Sequence, residues 1–345
     1  MKKKHVLSLL LIFVAVYFLA FFKLPYYIYK PGSADPLNPI VKVEHGFSSK
    51  GDMHLVTVSG AQATPMQFLL AKVLPHHEIL PLDQVLPDGI TDDEYMHAQL
   101  QMMESSQEAS TVVAYEAANG KIKIKYSGVY VALVMKDMPA DGILKMGDRI
   151  IGIDGRKIKE ADDLLDYVAT KQANDRIEVE FVRNDKKMTK MITLEKLADL
   201  GGKPGIGIQL VTDRDVSVEP KVKFSSGQIG GPSAGLMFSL EIYDQLTKED
   251  ITKGYEIAGT GEIDYDGNVY RIGGIDKKVV AADKEGVDIF FAPNEKGKAN
   301  SNYQVALKKA KEINTDMKIV PVDTFHDAIT YLKKLDESKR PTASE

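Results

Sequence analysis

Residues 228–236 read "QIGGPSAGL", one serine, Ser233, among three glycines and a proline. Proline suits the first helical position, where its missing donor would be unpaired anyway. The pattern therefore predicts a helix over about 233–247, with Gly231 as N-cap and Pro232 at its first turn. Free N–H groups and the positive end of that helix would favour an oxyanion. Ser233 then has two readings. It is an acyl-transfer nucleophile, or a small residue at a helix start, where serine is common for capping reasons. Downstream, "RIGGIDKKVVAAD" offers Lys277 and Lys278. A lysine can take a serine's proton. To do so it must be neutral, its pKa lowered from ~10.4 toward ~7–8. On a helix Lys278 shares a face with Ile275, Ala281 and Ala282, a setting for desolvation. A solvated lysine pair at a helix start is the other reading.

Other chemistries find less support. Gly231–Gly235 matches G-x-S-x-G, but that elbow needs an acid and then a histidine downstream. Only His326 follows Ser233, in "DTFHDAITYL", where a surface position in the first turn of the last helix is expected. There is no HExxH, no GxxxxGK[ST] and no cysteine. Zincin, on-board ATPase and thiolate chemistry are therefore not expected, nor is any cofactor or metal. A net charge of −5 argues against a nucleic-acid surface.

The elements that must position these residues follow from pattern. "HLVTVSG" alternates as a strand. Residues 62–82 suggest helix then loop, and 91–120 one or two helices ending at Gly120. Residues 121–196 change character. Asp154-Gly155 and Asn184-Asp185 each separate β-rich runs, as hairpin turns do. After 203, strands alternate with helices, which gives an α+β fold. "MKKKH" precedes residues 6–22, which carry no charge, and three tyrosines follow in "LPYYIY". A retained transmembrane anchor is expected rather than a cleaved signal peptide, with the N-terminus cytoplasmic and the remainder of the chain extracytoplasmic. The expected segments are 1–34 (stub, anchor, linker), 35–120, a compact domain at 121–196, 197–336, and a disordered tail at 337–345.

"GGPSAGLMFSLEIYDQL", "AGTGEIDYDGNVYRIGGIDKKVVAADKEGVDIFFAPNE" and "KIVPVDTFHDAI" together resemble the proteolytic domain of Lon proteases, in order over 222–336. The resemblance implies a Ser-Lys dyad of Ser233 and Lys278, not Lys277, supported by Thr260 of T-G-E-I, and it implies that 35–120 and 197–336 are two parts of one catalytic domain with 121–196 inserted. It places oxyanion support around Gly231, Pro232 and Ala234. Many Lon domains carry an acid three residues before the serine; here that position is Gly230. "SGVYVALV" and "MPADGILKMGDRIIGIDGRKI" are similar to a PDZ domain, which implies a carboxylate-binding loop at Gly128, Val129, Tyr130 and Val131. The order resembles membrane-anchored, PDZ-containing Lon-like peptidases of Gram-positive bacteria. That resemblance implies an ATP-independent serine endopeptidase acting on peptides or unfolded proteins, with a homo-oligomer possible. A tethered PDZ scaffold with an inactive Lon-like domain is the alternative.

Overall fold

A computed structural model describes residues 3–86, 92–197 and 201–336. The tail expected at 337–345 lies outside the described residues. The chain divides into two compact units: residues 1–121 with 218–345, and residues 122–217.

The first unit begins with α1 (Lys3–Phe21), β1 (Tyr26–Pro36), β2 (Val41–Val43), β3 (Met53–Gln62), α2 (Pro65–Ala71), β4 (Glu78–Pro81) and α3 (Asp92–Ala117). The chain then enters the second unit through β5 (Lys121–Val134), followed by β6 (Arg149–Ile153), β7 (Arg156–Lys157), α4 (Ala161–Ala169), β8 (Arg176–Arg183), β9 (Lys186–Thr193), β10 (Glu195–Leu197) and β11 (Lys203–Gly205). It returns along β12 (Ile208–Glu219). The first unit is completed by β13 (Val222–Phe224), α5 (Gly235–Leu246), β14 (Ile257–Gly259), β15 (Glu262–Ile263), β16 (Val269–Tyr270), α6 (Ile275–Lys284), β17 (Ile289–Pro293), α7 (Asn302–Ile313), β18 (Lys318–Val322) and α8 (Phe325–Lys333).

A six-stranded sheet, order β18-β17-β14-β3-β1-β4, organises the first unit. Its β14, β17 and β18 run parallel, with helical crossovers, while β1 pairs antiparallel with β3 and β4. The core strand β17, "IFFAP", is buried at every position, as parallel strands covered on both faces are. On one face Ile275, Val279, Ala281 and Ala282 of α6 pack with Val56, Ala258 and Phe290. This burial carries the lysines of α6 into the interior.

In the second unit the expected hairpins form. Asp154 and Gly155 have φ of 46° and 72°, and Asn184 and Asp185 of 49° and 60°. Two consecutive positive φ values give the turn whose twist matches paired strands. Strand β12 joins this unit's sheet beside β5, in the order β12-β5-β6-β8-β9. Residues 203–217, expected in the catalytic segment, therefore lie in the insert. Pairing decides this, because an edge strand belongs to whichever sheet completes its hydrogen bonds.

The helix α1 covers 19 residues. Among the described residues no helix is long and apolar enough to cross a membrane. The spanning anchor expected at 6–22 is thus not supported, and the sidedness argued from it rests on the same segment. Length is the physical reason. The uncharged stretch 6–21 of α1 extends about 24 Å at ~1.5 Å per residue, short of a hydrocarbon core of ~30 Å.

Candidate active site

Helix α6 begins at Gly274, whose left-handed backbone (φ 67°) lets its carbonyl accept from the N–H groups of both Lys277 and Lys278. One residue of rotation separates the two lysines by ~100° around the helix, and they meet different surroundings. Lys277 is buried but paired, its Nζ 2.5 Å from Glu78 and 3.2 Å from Asp276. Lys278 is equally buried and, among the described residues, meets no carboxylate. Its Nζ lies 2.7 Å from Ser233 Oγ and 2.8 Å from Thr260 Oγ1. Burial lowers its pKa from the ordinary lysine value to about 7. Asp276, two residues before Lys278, is engaged by Lys277.

Thr260 follows β14 directly and is fully buried. Its hydroxyl donates to the Ser233 carbonyl at 2.9 Å. With that proton committed, its lone pairs face Lys278. A neutral lysine can then donate to Thr260 and present its own lone pair to the Ser233 hydroxyl. The Gly261 N–H also donates to the Ser233 carbonyl, at 2.9 Å. The serine backbone is thereby clamped from two sides.

The serine segment differs from the sequence expectation. Helix α5 starts at Gly235, after a turn closed by Gly235 N–H to Pro232 O at 3.3 Å. Gly231 is not the N-cap and Pro232 is not at the first helical position; Ala234 caps the helix. The expected oxyanion set changes accordingly. The Gly231 N–H donates to Gln99 O at 2.8 Å, and Pro232 has no N–H. Among the described residues, the N–H groups of Ser233 and Ala234 have no hydrogen-bond partner. They sit at the positive end of α5, where a developing oxyanion would be held.

Sequence reasoning missed the support from α3. Ser106 Oγ donates to Pro232 O at 2.9 Å, and Ser110 Oγ to Gly235 O at 2.8 Å. Gln99, Ser106 and Ser110 lie on one face of α3, spaced by seven and four. That spacing of small polar residues was the available signal. A side chain at Gly230 would bring its Cβ within 2.7 Å of Gln99 Cβ. Glycine at this position lets the serine segment lie against α3.

His326 is exposed in the first turn of α8, as expected. In the second unit, Gly128, Val129, Tyr130 and Val131 lie within β5 rather than in a loop. Val129 and Tyr130 pair with Ile150 and Arg149 of β6, and the Val131 N–H donates to Asp148 O at 2.9 Å. A carboxylate loop needs free N–H groups, and ladder pairing consumes such groups. Val129 and Val131 are buried in the core, while Tyr130 is partly exposed.

A model of the Lon protease C-terminal proteolytic domain matches residues 213–334, and a PDZ domain model matches 97–194. The PDZ match begins inside α3, which packs in the first unit, so its structural counterpart is residues 122–217. Among curated proteins, the chain is 35% identical over 104 residues to a Lon protease of Mesomycoplasma hyopneumoniae, covering 30% of this chain and 11% of that protein. It is 35% identical over 102 residues to a Lon protease of Campylobacter jejuni, covering 29% and 12%. The chain thus spans about a tenth of the length of these relatives. Among solved structures, the PDZ domain of an SdrC-like protein from Listeria monocytogenes is 38% identical, covering 26% of this chain and 93% of that one, with a TM-score of 0.24. Residues 97–194 are thus similar to a PDZ domain and residues 213–334 to a Lon-type C-terminal proteolytic domain.

Proposed function

We propose that this chain is a serine endopeptidase using Ser233 as nucleophile and Lys278 as general base, cleaving peptides or unfolded proteins without ATP. The observation that carries this is a buried lysine, with no carboxylate partner among the described residues, 2.7 Å from a serine hydroxyl. A desolvated lysine with a pKa of about 7 is substantially neutral at physiological pH. In the proposed reaction Lys278 accepts the Ser233 proton as Oγ attacks the peptide carbonyl. The N–H groups of Ser233 and Ala234 hold the tetrahedral oxyanion. Lys278 then returns the proton to the leaving amine, and water repeats the sequence on the acyl-enzyme. Thr260 acts by holding Lys278 in register. The reading of cleavage without nucleotide is supported by the lack of a P-loop motif in these 345 residues. The inactive-scaffold alternative rests on Gly230, and close packing against Gln99 accounts for that glycine.

The insert unit is proposed to recognise peptide by strand addition. The chain is proposed to be held at a membrane through α1. Leu10, Leu11, Ile12, Phe13 and Val14 are each more than half exposed, so apolar side chains face outward all round the helix. A partner helix covers one stripe; an apolar phase covers every face.

Purified protein should cleave unfolded casein without nucleotide. Ser233→Ala and Lys278→Met should each lower kcat by on the order of 10⁴-fold or more, and together by no more than either alone. Retained cleavage by Lys278→Met removes the dyad. Full recovery of the chain in the soluble fraction after lysis removes the tether.

A further inference from the structure

Helix α2, which contacts α1, carries a second apolar surface. Met66, Leu69, Leu70, Val73 and Leu74 are 54%, 60%, 43%, 78% and 44% exposed. Their spacing is i, i+3, i+4, i+7, i+8, one continuous stripe. The helical turn continues past Ala71, because the Val73 and Leu74 N–H groups both donate to Leu70 O. The opposite side is already satisfied: Ala71 and Phe68 pack with Ile28, Ala63 and Tyr26. The exposed stripe is thus not a face displaced from its own core. It is also sharply ordered by a reciprocal Thr64–Gln67 capping box. A turn so fixed holds its apolar side chains in water at a standing cost.

The position of the stripe indicates what covers it. The base of α1 is tied to the residues just before α2. The Leu24 N–H donates to Ala63 O, the Ala63 N–H to Tyr26 O, and Gln62 Nε2 to Leu24 O. Both apolar surfaces therefore leave one hydrogen-bonded junction, and α1 is apolar on every face. The junction carries exposed lysines: Lys23, whose Nζ meets Gln62 O, and Lys72, whose Nζ lies over the Phe68 ring. Cations bordering an apolar stripe match anionic headgroups above acyl chains.

We propose that α2 is an interfacial docking element, its stripe lying in the headgroup region of an anionic lipid bilayer. It extends the membrane part of the functional reading. Its physical consequence is orientation: two points of attachment restrict how the first unit stands on the surface, where one helix alone leaves it free to tilt. The side chains would lie about 5–10 Å into the boundary between headgroups and acyl chains.

The chain has no cysteine, so single labels are unambiguous. The full chain carrying Leu69→Cys, Val73→Cys, Val14→Cys or Asp316→Cys is coupled to an environment-sensitive fluorophore. Each is mixed with vesicles of phosphatidylethanolamine and phosphatidylglycerol. Labels at 69 and 73 should shift to the blue, be quenched by lipid-borne nitroxides and lose quenching by aqueous iodide. The label at the exposed Asp316 should do none of these. Casein cleavage by each labelled protein shows that it is folded. Continued iodide access at 69 and 73 in the presence of vesicles overturns the inference. So does shielding that grows with protein concentration or with added casein but brings no lipid quenching, which would identify a second copy or a substrate as occupant. The Val14 label reads the tether separately. Quenching at 14 with access at 69 and 73 rejects docking by α2 alone. Quenching at 69 and 73 with access at 14 rejects the α1 tether and leaves docking in place.

Discussion

At the residue scale, the difference between Lys277 and Lys278 is a difference of neighbours. Both are buried, but among the described residues one meets Glu78 and Asp276, and the other two hydroxyls. A carboxylate beside a lysine stabilises its charge, whereas hydroxyls do not compensate desolvation. The base form of Lys278 is the deprotonated one, and its pKa is about 7. Peptidase kcat/KM should therefore rise with pH through about 7 and level off above it. A pH–rate profile measures this, and a flat profile between pH 6 and 8 counts against Lys278 as the base. Thr260 is the companion test. Thr260→Val keeps the shape but removes the hydroxyl that donates to Ser233 O and accepts from Lys278. We expect kcat to fall ~10–10²-fold, an order set by one lost positioning hydrogen bond, while Thr260→Ser restores most of it. Equal loss in both variants would mean that only packing matters there.

At the element scale, the site is a meeting of α3, the serine turn, the end of β14 and α6. Burial of the apolar face of α6 fixes where Lys278 points, and the sheet fixes Thr260. Helix α3 fixes the serine turn through Gln99, Ser106 and Ser110. Gly230→Ala should push the turn away from Gln99, since its Cβ would meet Gln99 Cβ at 2.7 Å. The expected cost is ~1–3 kcal/mol of stability, typical of overpacking, with kcat falling more than KM rises. Thermal unfolding and steady-state kinetics on the same protein measure both. An unperturbed Tm together with normal kcat would show that the turn does not depend on this contact. The positions of Gly231 and Pro232 had the same origin. Local rules place proline at the first helical turn, yet tertiary hydrogen bonds to α3 draw the segment out of helical geometry and delay α5 to Gly235.

At the scale of the whole molecule, three buried titrating groups shape the stability curve of the first unit. Burial raises the pKa of Glu241 to about 7 and of Asp244 to about 6, with hydrogen bonds from Gln245 and Ser49 opposing it. The folded state then holds protons that the unfolded chain has released, so stability should fall as pH rises from about 4 to 7. Lys278 acts in the opposite sense. The unfolded chain holds a proton that the folded state lacks from about 7 up to the ordinary lysine pKa, so stability should rise across that window. Chemical denaturation as a function of pH should show a shallow minimum near neutrality, and Glu241→Gln should flatten its acidic arm. A single maximum near pH 7 would contradict these environments. The sequence alone determined the α+β order and the two hairpin turns, and it singled out Ser233, Thr260 and Lys278 as candidates. Those features depend on local turn chemistry, on helical periodicity and on motifs in a fixed order. Tertiary structure alone decided that β12 closes the insert's sheet and that residues 128–131 lie in a paired strand. It also decided which N–H groups lack a partner among the described residues, those of Ser233 and Ala234. Strand partners and spare hydrogen-bond donors are settled by segments far apart in the chain, so no local pattern records them.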